Sequence, residues 1–164
     1  MKKITVIIIA LFILKLVSGC TGYKPIFSST NLNFEILYTS IEGDRILGKE
    51  IHSKIKRFLS SKEKNDNNKG VNLYINSEKN KVSTIKDSTG KIKEYKITLN
   101  TKINIKDFVT DENILDQNFL YSMSYNVQEQ HSETIELEER SIDIMIENTY
   151  QDLLVKLSQY ISTE

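Results

Sequence analysis

The stretch Tyr95-Lys96-Ile97-Thr98-Leu99-Asn100-Thr101-Lys102-Ile103-Asn104-Ile105-Lys106 alternates two kinds of side chain from end to end. Successive side chains of a strand point to opposite faces. Tyr95, Ile97, Leu99, Thr101, Ile103 and Ile105 therefore share one face, and Lys96, Thr98, Asn100, Lys102, Asn104 and Lys106 share the other. Such a strand belongs to a sheet packed on one side only.

Working outward, Asp87-Ser88-Thr89-Gly90 precedes this strand and reads as a hairpin turn ending in glycine. Before it, Val71, Leu73 and Ile75 alternate with Asn72, Tyr74 and Asn76, in a strand that continues through Val82 to Ile85. On the other side, Thr110-Asp111-Glu112-Asn113 makes a turn. A last strand then places Phe119, Tyr121, Met123, Tyr125 and Val127 on one face and Ser122, Ser124 and Asn126 on the other. A first strand is expected over Leu32–Ser40, with Leu37 breaking its alternation.

Two helices complete the pattern. Asp44 is placed to cap a helix over Arg45–Leu59, whose stripe is Ile46, Leu47, Ile51, Ile55, Phe58 and Leu59. Gly48 inside it weakens that helix. The run Ser60–Gly70 is polar throughout and reads as a surface loop. Gln128–His131 connects to a second helix over Glu133–Ile161, with Ser132 as its cap. Glu133, Glu136, Glu138 and Glu139 crowd its start, where the helix dipole favours negative charge. Its stripe is Ile142, Met145, Ile146, Leu153, Leu157, Tyr160 and Ile161, with Thr149 the polar position on it. The order β-α-β-β-β-α predicts an α+β fold, a two-layer sandwich with both helices on one face of a four-stranded sheet. The other face, rich in Lys, Asn, Ser and Thr, stays open.

The beginning of the chain reads as an address. Met1-Lys2-Lys3 precedes an eleven-residue, largely apolar run, Ile4–Leu14. Lys15 ends the run, well short of the ~20 apolar residues that span a membrane. Leu16-Val17-Ser18-Gly19-Cys20 follows and resembles a bacterial lipobox. Small side chains at Ser18 and Gly19 admit a peptidase, and the Cys20 thiol takes a diacylglyceryl group. Cys20 is the only cysteine of the chain, which excludes an internal disulfide framework. The expected organisation is a signal peptide over 1–19 cleaved between Gly19 and Cys20, a lipidated tether over 20–31, and a domain over 32–164. Cleavage leaves 19 basic and 22 acidic residues, a charge of −3 where the precursor is neutral. Any attraction to an anionic partner must then be local, and nucleic acid is not an expected partner.

Catalytic chemistry finds little footing. His52 flanks the first helix stripe, and His131 sits in a polar connection. There is no Gly-rich nucleophile elbow or phosphate loop. Ligand pairs at metal-binding spacing are also missing. The expectation is a protein that is not an enzyme, with no metal and no cofactor beyond the acyl lipid on Cys20. Lys79, Lys81, Lys86, Lys91 and Lys93 gather around the Asp87–Gly90 hairpin, with Glu78, Asp87 and Glu94 interleaved. Lysines there can guard a sheet edge, or can pair with the phosphates of a glycolipid.

Several of these features together are similar to one family. Gly22-Tyr23-Lys24-Pro25-Ile26-Phe27 directly after the lipobox, Val82–Asp87 with Gly90 and Glu94-Tyr95, and the Phe119–Tyr125 strand leading into an acidic long helix resemble the LPS-assembly lipoprotein LptE family, in its shorter alphaproteobacterial forms. Thr21 between the cysteine and the Gly-aromatic pair departs from that pattern, as does a hairpin rich in lysine rather than arginine. Thr21, rather than Asp, after the cysteine favours sorting to the outer membrane by resemblance to bacterial lipoproteins. The family resemblance implies a plug and assembly partner of the LptD barrel, anchored on the periplasmic face. Lipopolysaccharide would be a second contact, with Lys86, Lys91 and Lys93 as its phosphate ligands. An accessory lipoprotein of another envelope lipid-transport or barrel-assembly machine would share the lipobox. A lipid-anchored periplasmic hydrolase is the third alternative.

Overall fold

The structure, a computed structural model, describes residues 34–60 and 69–161. The expected signal peptide, the Gly19–Cys20 cleavage site and the tether lie outside the described residues, as does most of the polar loop. The elements follow the order β1 (Phe34–Gly43), α1 (Arg45–Ser60), β2 (Lys69–Lys86), β3 (Ile92–Asp107), β4 (Asn113–Asn126) and α2 (His131–Ile161). They form an α+β fold with one four-stranded mixed sheet.

The sheet runs β1-β2-β3-β4. β2, β3 and β4 form an antiparallel meander, while β1 pairs with β2 in parallel. Parallel neighbours need a long crossover, and α1 supplies it. The alternation that defined β3 is realised in full: Ile97, Leu99, Thr101, Ile103 and Ile105 are buried. They join Val71, Leu73 and Ile75 of β2 and Phe119 and Tyr125 of β4 under the two helices, which add Leu47, Ile51, Ile55, Met145, Ile146, Leu153 and Leu157. One sheet face thus carries the whole core, and the opposite face is left uncovered by helix. Lys54 of α1 and Glu147 of α2 pair at 2.8 Å, and Phe58 meets Tyr150 edge-on at 6.4 Å between ring centroids.

Local chemistry explains the joints. The Asp44 carboxylate accepts hydrogen bonds from the backbone N–H groups of Ile46 (3.1 Å) and Leu47 (3.3 Å), capping α1 as its position predicts. Gly48 is a close-approach residue. A Cβ there would stand 2.4 Å from Ile41 Cγ2, so a larger residue would push α1 off β1. In α2, the buried Thr149 hydroxyl donates to the Met145 carbonyl at 2.9 Å, which satisfies the polar break in the stripe.

Three expectations are corrected, and the break at Leu37 is borne out. Ile46 is 78% exposed rather than part of the α1 stripe, because the buried face follows Leu47, Ile51 and Ile55 at helical spacing. Helix α2 starts at His131, so His131 is not in a loop and Ser132 is inside the helix. The Thr134 hydroxyl accepts from the Gln128 N–H at 2.9 Å and ties the entry down. Strand β4 begins at Asn113, six residues before Phe119, and buries both Ile114 and Leu115. A register shift at Ile105/Lys106 lets these consecutive residues both turn inward. Leu37 breaks the alternation of β1 because it sits in a bulge between Ile36 and Tyr38.

Candidate functional site

Helices cover one face of the sheet, which leaves the open face and the β2–β3 hairpin among the surfaces available to a partner. On the open face Asn72, Tyr74, Asn76, Asn80, Asn100, Lys102 and Asn104 come from adjacent strands in register. Tyr38 packs on Tyr74 with ring centroids 5.9 Å apart. Two shallow depressions mark this face. One, of about 560 Å3, is lined by Ser40, Glu42, Tyr74, Asn76, Lys102 and Asp116 among others. The second, of about 610 Å3, lies toward Glu78, Asn80, Thr98 and Asn100.

The face holds unused hydrogen-bonding capacity. The Oδ1 atoms of Asn72, Asn100 and Asn104 are out of solvent and accept no hydrogen bond from a described residue. The Asn104 amide does donate to Asn113 Oδ1 at 2.9 Å. A row of such amides is polar without carrying net charge, and it suits contact with a hydrated surface.

The hairpin lysines do not act as one group. Lys81 turns to the helix side, where its ammonium pairs with Glu138 of α2 and lies 4.3 Å from the Tyr95 ring centroid and 5.6 Å from that of Tyr125. The Tyr125 hydroxyl donates to the same Glu138 carboxylate at 2.7 Å. Burial alone would lower the Lys81 pKa, but hydrogen bonds to Glu138 and Tyr125 outweigh it and hold it above the ordinary value. Burial likewise would raise the Glu138 carboxyl, and its bonds to Lys81 and Tyr125 hold it below the ordinary range. Lys81 therefore clamps β2 to α2, its ammonium already paired with Glu138.

Of the three lysines expected to meet phosphate, Lys93 faces Asp87 at 3.5 Å. Lys86 and Lys91 are exposed, and among the described residues neither ammonium has an ion-pair partner. The turn between them is held by Asp87, whose carboxylate accepts from the Thr89 hydroxyl (2.6 Å), the Thr89 N–H (3.0 Å) and the Lys91 N–H (3.0 Å). The Thr89 hydrogen bond leads in lowering the Asp87 pKa to about 2. The structure thus brings Lys86 and Lys91 to one firm turn and takes Lys81 away.

Elsewhere, His52 is half-buried, with Nε2 3.4 Å from the Thr39 hydroxyl. Burial, reinforced by Lys56, lowers its pKa. The Tyr121 hydroxyl donates to Asp152, and burial together with that carboxylate pushes its pKa up to about 12. Among the described residues, no three His, Cys, Asp or Glu side chains gather to hold a metal ion, and no helix is long and apolar enough to cross a membrane. The Lys81–Tyr95–Tyr125–Glu138 cluster was missed in the sequence. Its one signal is that Lys81 shares strand parity with Val71, Leu73 and Ile75, which puts a lysine on the apolar face.

No family model matches the chain, and no curated protein matches it. Solved structures do. Rare lipoprotein B from Shewanella oneidensis is 13% identical with a TM-score of 0.54, over 77% of this chain and 98% of that one. Lipoprotein B from Nitrosomonas europaea is 15% identical with a TM-score of 0.58, over 79% and 85%. A minor lipoprotein from Acinetobacter baumannii is 17% identical with a TM-score of 0.54, over 77% and 93%. What this chain shares with these bacterial lipoproteins is the fold.

Proposed function

We propose that this protein is a lipid-anchored lipoprotein of the outer membrane that plugs and helps assemble an LptD-type barrel, supporting insertion of lipopolysaccharide into the outer leaflet. One observation carries the reading: a lipobox with Cys20 at its end precedes a domain whose fold is that of bacterial lipoproteins. The two-faced sheet supports it. The helices seal the apolar face, and the open face offers amides, lysines and hydroxyls suited to the polar lumen of a wide barrel. Acyl chains on Cys20 hold the domain at the periplasmic face. The domain works as a scaffold and not as an enzyme, and it needs no metal or cofactor.

Within this reading Lys86 and Lys91 guide the phosphates of the glycolipid, and Lys93 serves mainly to brace the turn through Asp87. Detergent extraction and pull-down of the tagged protein tests the assignment, with mass spectrometry of Cys20 and of whatever co-purifies. The expected result is an acylated Cys20 and a stoichiometric large barrel. Co-purification with a different envelope machine would transfer the role to that machine.

A further inference from the structure

Strand β1 runs parallel to β2, so Phe34 and Lys69 mark the same end of the sheet and the Asp87–Gly90 hairpin marks the other. At the Phe34 end lies the β3–β4 turn. Its Val109 is 87% exposed and its Phe108 52% exposed. Leu37, expelled from the strand pattern by the β1 bulge, is 51% exposed and joins them. Leu37 and Phe108 both lie beside Gly70, where a Cβ would stand 2.5 Å from Leu37 Cδ1 and 3.5 Å from Phe108 Cβ.

The turn is built to present these residues. The Asp107 carboxylate accepts from the N–H groups of Val109 (2.8 Å) and Thr110 (2.9 Å). The Phe108 N–H donates to the Gly70 carbonyl at 3.0 Å. Lys69 faces Asp107 at 3.3 Å and Lys106 faces Asp111 at 3.0 Å, so flanking charges are paired while the apolar tip is bare.

We infer that Leu37, Phe108 and Val109 form a tip that dips into the lipid surface to which the chain is anchored. This rests on the lipoprotein reading above. Cys20 precedes Phe34 by fourteen residues, so even fully extended that segment reaches at most about 50 Å. The Phe34 end is therefore the end of the sheet nearest the acyl chains along the polypeptide. The anchor supplies affinity, and the tip supplies orientation. It holds the Phe34 end at the lipid surface before a barrel is engaged, with the Lys86–Lys91 hairpin at the far end of the sheet.

The chain contains no tryptophan, so a single introduced indole reports its own surroundings. The acylated full-length mature protein is reconstituted in phosphatidylethanolamine/phosphatidylglycerol vesicles as Val109→Trp or, at the opposite end, Ile85→Trp. Both native residues are exposed, and circular dichroism verifies folding. The expected result is short-wavelength emission from Val109→Trp that brominated acyl chains quench, with water-like, unquenched emission from Ile85→Trp. Water-like emission from Val109→Trp overturns the inference. So does short-wavelength emission that lipid bromines leave intact, which would mean a protein contact. Equal quenching at both ends would mean that the domain lies flat, and overturns it too. Mass spectrometry of Cys20 separates these failures from that of the lipoprotein reading: an unmodified Cys20 removes the anchor and both claims, whereas an acylated Cys20 with an unquenched probe removes only the tip.

Discussion

Strand β2 is two strands in one. Its first half, Lys69–Ser77, has β1 on one side and β3 on the other, and Val71, Leu73, Ile75 and Ser77 are buried beneath the helices. Its second half, from Glu78 to Lys86, is paired with β3 alone, and every residue is exposed. The first half is held by buried apolar area. The second is held by its ladder to β3 and by one clamp, Lys81 on Glu138 and the two tyrosine rings. The same backbone geometry thus serves two purposes: one end fixes the fold and the other projects charge from it.

The largest contrast should come from truncation. Leu73→Ala removes fully buried methyl groups and should cost about 2–5 kcal/mol in urea unfolding. Ile85→Ala should stay within about 0.5 kcal/mol. Similar losses at both sites would erase the distinction between the halves.

Next in size is the clamp. Lys81→Met should cost about 1 kcal/mol, since the pair is partly exposed and screened by solvent. Most of that cost should vanish in 1 M salt. A cost that persists at high salt would assign the clamp to packing of the lysine stem instead.

The clamp also sets a pH window. Glu138 is lowered in the fold, so its contribution is complete above the ordinary carboxylate value of 4.5 and is lost as pH falls through the lower folded value. Lys81 is raised, so its contribution is complete below 10.5 and is lost as pH rises through the higher folded value. The Tm difference between the native protein and Glu138→Gln should be flat between those limits and close up in acid. A difference that is unchanged in acid would show that the Glu138 charge contributes nothing.

The smallest effect on stability belongs to the turn. Lys86→Glu combined with Lys91→Glu should move unfolding by no more than about 0.5 kcal/mol, because both side chains are exposed. The same double variant should weaken binding of phosphorylated glycolipid in a pull-down and slow its export. If binding and export are unchanged, these lysines are only an edge guard.

Much of the first half of β2 was legible in the sequence, and little of the second. Where a strand is half-buried, strict alternation reports its faces directly, so Val71, Leu73, Ile75 and the whole of β3 read correctly. Asp44 was legible because a cap acts over three residues. The rest depended on contacts distant in sequence. Register shifts at Ser83/Ile85 and Ile85/Lys86 break the parity of β2 just where the hairpin lysines lie. Parity therefore cannot be carried from Lys81 to Lys86, and the five lysines read as one cluster. The partner of Lys81 is 57 residues away, among glutamates that helix-start electrostatics already explained. Ile46 illustrates the opposite error, an apolar residue counted into a stripe although it lies one step around the helix from the residues that pack.

The parallel pairing of β1 has a consequence for the order of assembly. The meander β2–β3–β4 closes through short turns, whereas Phe34 must find Lys69 across the whole of α1 and the residues that follow it. Loop closure over that distance costs more entropy than a hairpin does. The first strand of the described residues is therefore the last able to zip up. Pulse-labelled hydrogen exchange during refolding should show amide protection in β3 and β4 before β1. Until β1 docks, the flank of β2 at Lys69–Ser77 remains an open edge, a template on which a second chain could pair.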